Sequence, residues 1–511
     1  MTRRLNRALA TSAAIQSRPD LAPPPLALLD LPERIVQFGT GALLRGLVDA
    51  MIDDANRAGA YAGRIVAIGS TGSGRDEVIN EQDGLFTLRI EGIERGWPVR
   101  HHRLIGSVSR AVSAVNQWDE VLRCARNPLL DVVFSNTTEV GIVLDDNDLR
   151  TAPAIPASFP GKLTRFLYER ARTFAYARDK GVVIVPCELI EDNGPKLRDA
   201  VLTLGKAWNL GLAFDSWLRE SVHFCNTLVD RIVPGLPVGA ELAQAEDELG
   251  FSDALLTVCE PYRLLVIETP HVTPPERAAD MRQRLAFATT DVGALLVDSV
   301  VPYRARKVRL LNGAHTGMVS LALLAGCDTV RQAIEQPQVA LFLRRAMHEL
   351  VQTVSAPGAE EYAREVLERF ANPYIRHQLR DIALHCGAKM RVRVVPAIHW
   401  HALRREVPTA LTLGFAAYLL HAATAGRGGL PDDVGATIRS RWTGATDDAA
   451  LRAFARAVTA DTLLWETNLD DFPGFTESVA THLALLVRHG AVSTTAAALG
   501  TPRTEATPAS V

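Results

Sequence analysis

The chain has 511 residues, 47% of them hydrophobic and 22% charged, with a formal net charge of −3 and a pI near 6.5. This is the composition of an ordinary globular protein, long enough for about two or three domains with their own cores. It excludes a basic field of the kind that holds nucleic acid, and no polybasic run points to a membrane surface; an anionic small molecule would need locally placed Arg or Lys.

The first 30 residues open with the basic, acid-free run Met1–Ser12 and end in Ala22-Pro23-Pro24-Pro25. Their apolar run is too short and too diluted by Thr, Ser and Gln for a secretory signal, and they read as a flexible N-terminal arm. From 31 to 300, short apolar runs alternate with helical spacing. Arg34 to Phe38 predicts a strand, Gly39-Thr40-Gly41 a turn, and apolar residues at 43, 44, 47, 48, 51 and 52 a helix. Ile65–Ile68, Leu130–Phe134 and Val182–Val185 predict further buried strands. The alternation implies an α/β, Rossmann-type domain with a doubly wound sheet, in which ligands sit beyond the carboxyl ends of the strands; Asn136, Glu139 and Glu188 fall there.

From 301 to 492 long helical patterns follow one another, including Val308–Ala325, Val339–Val351, Ala359–Phe370 and Ala449–Thr459, and predict a mainly α-helical domain. Thr409–Gly426 is uncharged and reaches membrane-spanning length, yet it carries Thr409, Thr412, Gly414, His421 and Thr424 and follows Pro408. It reads as a buried helix of that domain. The Ala-, Thr-, Ser- and Pro-rich stretch 493–511 reads as a disordered tail.

The six cysteines (Cys124, Cys187, Cys225, Cys259, Cys327 and Cys386) lie far apart with no C-x-x-C pair. They imply free thiols in a reducing, cytoplasmic compartment and argue against a disulfide framework or a zinc ribbon. His399-Trp400-His401 is the nearest approach to a metal pair, but it lacks a Cys or carboxylate companion, so no metal is expected.

Chemistry concentrates in Lys307-Val-Arg-Leu-Leu-Asn312-Gly-Ala-His315. On a helix advancing roughly 100° per residue, His315 lies at about 80° and Asn312 at about 140° from Lys307. The three residue types suit a carbonyl or alcohol carbon. A lysine of lowered pKa moves the proton, an amide holds the developing alkoxide, and an imidazole orients a neighbouring hydroxyl. The bland alternative is a surface lysine, a turn at Asn312-Gly313 and a core histidine. Gly39-x-Gly41 permits close approach of backbone N–H groups to a pyrophosphate, although Leu44 occupies the third position of the usual fingerprint. After Ile68 no acid appears until Asp76, and Arg75 stands nearby, so the ribose-selecting position is open.

K-x4-N-x2-H resembles the catalytic signature of the mannitol dehydrogenase family, the polyol-specific long-chain dehydrogenases. Other segments are similar to family motifs in the same order: Val36-Gln-Phe-Gly39-Thr-Gly41-Ala-Leu-Leu-Arg45, Gln82-Asp83-Gly-Leu-Phe-Thr87, and Phe224-Cys-Asn226-Thr-Leu-Val-Asp230-Arg231-Ile-Val-Pro234. Ser135–Ile142, Pro186–Gly194 and Arg369–Leu379 resemble the branch that acts on hexuronic acids. The resemblance runs from about residue 34 to about 490. It implies an NAD-dependent oxidoreductase interconverting D-tagaturonate and D-altronate in hexuronate catabolism, with NADP left open. Fructuronate, mannitol or arabinitol is the alternative substrate within the family, and a non-catalytic nucleotide- or sugar-acid-binding regulator is the alternative outside it.

By the same resemblance Lys307 is the general acid/base, Asn312 the oxyanion donor and His315 the hydroxyl partner. Phe38, Gly39, Gly41, Arg45, Asp83 and Asn136 fall to the cofactor. Glu188, Asn193, Asp230, Arg376, Arg380 and Lys389 fall to the substrate, with Arg376, His377, Arg380 and Lys389 in a segment that faces the cleft in this family. Leu189 stands where mannitol dehydrogenases place a second oxyanion asparagine, and Asn193 and Asn136 are the substitutes on offer. Asp230-Arg231 is alternatively a structural ion pair. The partner implied is a small sugar acid; monomer and homodimer both remain open.

Overall fold

The computed structural model describes residues 3–70, 72–137, 141–269, 275–425, 431–444 and 446–500. It divides into two compact units, the first ending at Val300 and the second beginning at Val301.

Strands β1 (Glu33–Phe38) and β2 (Arg64–Gly69) are followed by a hairpin of β3 (Phe86–Glu94) and β4 (Trp97–Ile105) and then by β5 (Val108–Ser113). Next come β6 (Val132–Ser135), β7 (Val183–Pro186), β8 (His223–Phe224) and β9 (Asn226–Asp230). The last three are β10 (Thr257–Cys259), β11 (Leu264–Glu268) and β12 (Ala294–Val297). Six of these form one parallel sheet in the order β5-β2-β1-β6-β7-β8. Counted along the chain within the sheet, that is the order 3-2-1-4-5-6 of a dinucleotide-binding fold.

The strands read as near-continuous apolar runs because the sheet has a core on each face. Ile35, Ile65, Val132 and Val183 point into one cluster; Val36, Val66, Val133 and Ile184 point into the other. Successive residues alternate between the two faces, as strand geometry requires. The β3–β4 hairpin, which sequence periodicity does not reveal, turns at Arg95 and Gly96, both at positive φ, and β10 joins its edge in parallel. Two successive positive-φ residues match the right-handed twist of the flanking strands. β9, β11 and β12 make a third, small sheet.

The N-terminal segment corrects the expectation of a flexible arm. Leu5, Ala10, Ile15, Leu21 and Leu29 are buried in a cluster with Leu85, Leu104, Leu249, Phe251 and Leu256. Leu5 N donates to the Ser252 carbonyl at 2.9 Å. Widely spaced apolar residues carry no helical or strand period, so only the partner surface reveals their role.

The second unit is helical. Helix Thr409–Thr424 is buried along nearly its whole length, and among the described residues no helix is long and apolar enough to cross a membrane. It packs against helices Gly313–Leu324 and Phe475–Leu499. The last helix carries the chain past 492 to Leu499, with a break at Gly490, so the first residues of the expected tail are ordered helix. The rest of that tail, 501–511, lies outside the described residues, as does Glu139. The fold is therefore a Rossmann-type α/β unit followed by a mainly α-helical one.

Candidate active-site elements

The first unit builds its ligand crevice at the end of β1, where the order of the sheet reverses. β1 has β2 on one side and β6 on the other, and the helix after β1 packs on one face of the sheet while the helix Phe159–Thr173 that follows β6 packs on the other, the switch point at which doubly wound sheets bind ligands. Gly39 occupies that point at φ +135°; a Cβ there would stand 2.9 Å from the Asn136 carbonyl oxygen and 3.0 Å from Leu44 Cδ1. Only glycine fits. Gly41, the residue before helix Ala42–Leu44, has open space where a Cβ would project. The helix runs on through a π-helical turn, Arg45–Asp49, to Ala50–Arg57. Its first N–H groups lack intrahelical partners. A tight glycine turn, an open cradle and a helix N-terminus fit a dinucleotide pyrophosphate.

The residues expected at the cofactor divide. Phe38 turns its ring into the core, 5.3 Å from Phe159 and 5.8 Å from Phe166, leaving its backbone at the turn. Asn136 N donates to the Phe38 carbonyl at 3.1 Å, and its Nδ2 to the Cys187 carbonyl at 2.7 Å, closing the loops after β1, β6 and β7 onto one another. Arg45 is buried and braces the turn from below, donating to the Thr40 carbonyl at 2.6 Å and to Thr257 Oγ1 at 2.9 Å. Burial, with Arg75 nearby, pushes its guanidinium down to about 10. Asp83 lies at positive φ on the turn before β3, and its carboxylate accepts from Arg7 N at 2.9 Å. Under the glycine turn a cavity of about 10 Å³ is lined in part by Gln37, Thr40, Arg45 and Asp49. Gln37 Nε2 donates to the Gly39 carbonyl at 3.3 Å and to Asp49 Oδ2 at 3.5 Å. Asp49 is fully buried, and desolvation pushes its carboxyl up to about 7.

Glu188, just past β7, is held by Ser135 Oγ at 3.0 Å and by Thr137 N and Oγ1 at 3.1 Å; burial raises its pKa. Asn193 is fully buried. Its amide donates to the Pro186 and Glu188 carbonyls and to Thr227 Oγ1, while its oxygen accepts from Gly194 N and Thr227 N. Those bonds use the whole side chain, so the structure makes Asn193 a loop clamp, not a substrate donor. Asp230 ends β9 and is buried. The Arg231 guanidinium turns to the Glu260 carbonyl, at 3.0 and 2.8 Å, and to the Gly46 carbonyl, so among the described contacts it bonds backbone and not its neighbour's carboxylate.

The second unit carries the lysine, amide and imidazole. Lys307–Asn312 is a π-helical turn running directly into helix Gly313–Leu324. In a π turn each residue advances less than the roughly 100° of an α-helix, so Asn312 comes back closer to the side of Lys307. All three side chains are half-buried. The His315 ring stacks on Phe370 at 3.9 Å and meets His377 edge-on at 5.2 Å, which fixes its plane. Burial lowers the His377 pKa. Asn372 is buried and shapes the loop before His377, its Oδ1 accepting from Tyr374 N at 2.9 Å. Arg376 and Arg380 are exposed; Lys389 is half-buried and donates to the Ile382 carbonyl at 3.0 Å. His401 is engaged through both ring nitrogens, with Glu406 and the Glu349 carbonyl, and His399 stacks on Phe472, so the two do not converge on an ion. All six cysteines are buried and unpaired.

The family model for the mannitol dehydrogenase Rossmann domain matches residues 33–279, and that for the mannitol dehydrogenase C-terminal domain matches residues 299–487. The chain belongs to the mannitol dehydrogenase family. Among its relatives, an altronate oxidoreductase of Bacillus subtilis (strain 168) is 38% identical over 456 residues, covering 88% of this chain and 92% of the relative. One from Cronobacter sakazakii (strain ATCC BAA-894) is 40% identical over 471 residues, covering 90% and 95%. Among solved structures, a substrate-free D-sorbitol dehydrogenase superposes with a TM-score of 0.75 at 22% identity, covering 96% of this chain and 99% of that one. Pseudomonas fluorescens mannitol 2-dehydrogenase, in a ternary complex with NAD and D-mannitol, gives 0.64 at 24%, covering 96% and 98%. These two share the fold.

In this mannitol dehydrogenase family member, sequence reasoning overlooked Gln37 and Asp49 beneath the glycine turn. It also overlooked Arg309 and Arg393 beside the lysine turn. Arg309 had a signal, lying between Lys307 and Asn312. Arg393 had none, being 77 residues from the Thr316 hydroxyl it meets.

Proposed function

We propose that the protein is an NAD-dependent oxidoreductase that interconverts D-tagaturonate and D-altronate in hexuronate catabolism. The observation that carries this is the identity, 38% and 40% over about nine-tenths of the chain, to altronate oxidoreductases. The half-buried Lys307, Asn312 and His315 set on one turn is consistent with it.

The dinucleotide, when bound, supplies hydride from its nicotinamide C4. Gly39, Gly41 and the N-terminus of the helix beginning at Ala42 hold its pyrophosphate. Asn136 and Arg45 keep that turn in shape. Lys307 delivers the proton to the carbonyl oxygen of the keto-sugar and takes it back in the reverse direction. The Asn312 amide donates to the same oxygen as charge develops on it. His315, its plane set by Phe370, orients the neighbouring hydroxyl. Family membership favours NAD over NADP. The buried, unpaired thiols fit the cytoplasm, where thiols stay reduced.

The test is NADH oxidation by the purified protein with D-tagaturonate, D-fructuronate and D-fructose. D-Tagaturonate is expected to give the highest kcat/KM. A higher value with fructuronate or fructose moves the protein to another branch of the family, and no turnover with any of them sinks the enzymatic reading.

A further inference from the structure

Three cations stand beside the lysine turn, and among the described residues none of them is paired with a carboxylate. Arg309 lies within the turn, and its guanidinium makes one hydrogen bond among the described residues, from Nη1 to the Arg393 carbonyl at 3.5 Å. Arg393 ends helix Cys386–Arg393, and its guanidinium also makes one, from Nη1 to Thr316 Oγ1 at 3.2 Å. Lys389 lies one helical turn before Arg393. Among the described residues none of the three has a carboxylate oxygen within 4.0 Å.

Several other arginines of this molecule have their donors satisfied in place. Arg170 spends its guanidinium on four backbone carbonyls, Arg231 on two, and Arg263 on the Asp291 carboxylate. A guanidinium has five donors, and the spare ones of Arg309 and Arg393 are not among the buried unpartnered atoms of the described residues, so they are open to solvent or a ligand. Arg309 and Arg393 are each half-buried with donors to spare. Burial lowers the pKa of both, as expected for cations lacking a compensating charge. Their place matters as much. The Arg393 carbonyl lies 3.3 Å from where a Cβ of Gly313 would stand, and its guanidinium reaches Thr316, the residue after His315 and one helical turn beyond Asn312.

We propose that Arg393, with Arg309 beside it, is the seat of the substrate's carboxylate and therefore the residue that selects sugar acids over neutral ketoses. The proposal rests on the substrate being a keto-uronate. A planar guanidinium with free paired donors matches a carboxylate in a bidentate bond, which an ammonium or a CH₂OH group cannot reproduce. Arg376 and Arg380 are exposed, where a charge pair is screened and weak.

The experiment compares kcat/KM for D-tagaturonate and D-fructose in the wild type, Arg393→Gln, Arg393→Lys, Arg309→Gln and Arg380→Gln, with NADH affinity measured by fluorescence as the control for folding. In Arg393→Gln the tagaturonate-to-fructose ratio is expected to fall by about 10- to 150-fold, mainly through the KM for tagaturonate. Arg393→Lys and Arg309→Gln are expected to lose less, and NADH affinity to hold. If Arg393→Gln does not fold, the fall of the ratio in the other two carries the test. Equal loss on both substrates, or a collapse of the ratio in Arg380→Gln in place of Arg393→Gln, overturns the seat while leaving the proposed function standing. A wild type with no preference for tagaturonate overturns both.

Discussion

In the proposed mechanism the chemistry turns on Lys307. Neither Asn312 nor His315 is placed by the mechanism to move the proton, so Lys307→Ala is expected to lower kcat by about 10²–10⁴-fold while NADH still binds. Stopped-flow turnover paired with NADH fluorescence checks this, and a variant keeping most of its kcat removes Lys307 from the mechanism. Asp49 makes a prediction of another kind. Its carboxyl sits near 7 in the folded protein, against an ordinary value of 3.8, because burial disfavours the charge. An acid with a raised folded pKa holds its proton longer in the folded than in the unfolded state. Between about pH 4 and pH 7 the unfolded chain therefore binds fewer protons, and this residue's contribution to stability falls as pH rises, levelling off above 7. Asp49→Asn removes the titration. It is expected to raise Tm at pH 8 relative to the wild type and to gain much less at pH 5; an equal change at the two pH values would show that Asp49 does not titrate in that window.

At the scale of elements, two π-helical turns stand at the two motifs, Arg45–Asp49 after the glycine turn and Lys307–Asn312 at the proposed catalytic set. Such turns are rare and recur at functional sites. The glycine turn is the more exacting element. Gly39→Ala would place a methyl 2.9 Å from the Asn136 carbonyl at a φ that L-residues rarely adopt. It is expected to weaken NADH binding at least tenfold and to lower Tm, readable by fluorescence titration and thermal unfolding; wild-type affinity in that variant would detach the turn from the nucleotide. What was legible at this scale follows from burial. β1, β2, β6 and β7 are covered on both faces, so their sequences are plain apolar runs. The β3–β4 hairpin escaped because β4 exposes Trp97, Pro98, Arg100 and His101, and carries Arg and His where a buried strand carries Val and Ile. β8 has two residues and no pattern to read. Lys307, Asn312 and His315 were legible because nine residues hold all three. Arg393 was invisible because only tertiary packing brings it to Thr316, and Asn193 looked like a donor because a sequence does not show that its bonds are already made.

For the whole molecule, the choice of dinucleotide is made after β2. No acid follows β2 before Asp76, and exposed Arg75 lies close enough to the buried Arg45 to lower its pKa. NADH is nonetheless expected to give the higher kcat/KM, on family grounds, with both cofactors compared at saturating substrate. An NADPH preference that Arg75→Ala abolishes would show Arg75 reading a 2′-phosphate. The packed N-terminal segment bears on how the chain comes to fold at all. Leu5 finds its carbonyl partner at Ser252 and its apolar neighbours at Leu249, Phe251 and Leu256. On a ribosome adding about 5–20 residues per second, some 12–50 s separate the emergence of the two ends of that contact. Through that interval Leu5 waits without its Ser252 partner and the cluster without Leu249, Phe251 and Leu256, within reach of whatever holds nascent chains. The N-terminal cluster is finished only when residues 249–256 close over the first thirty.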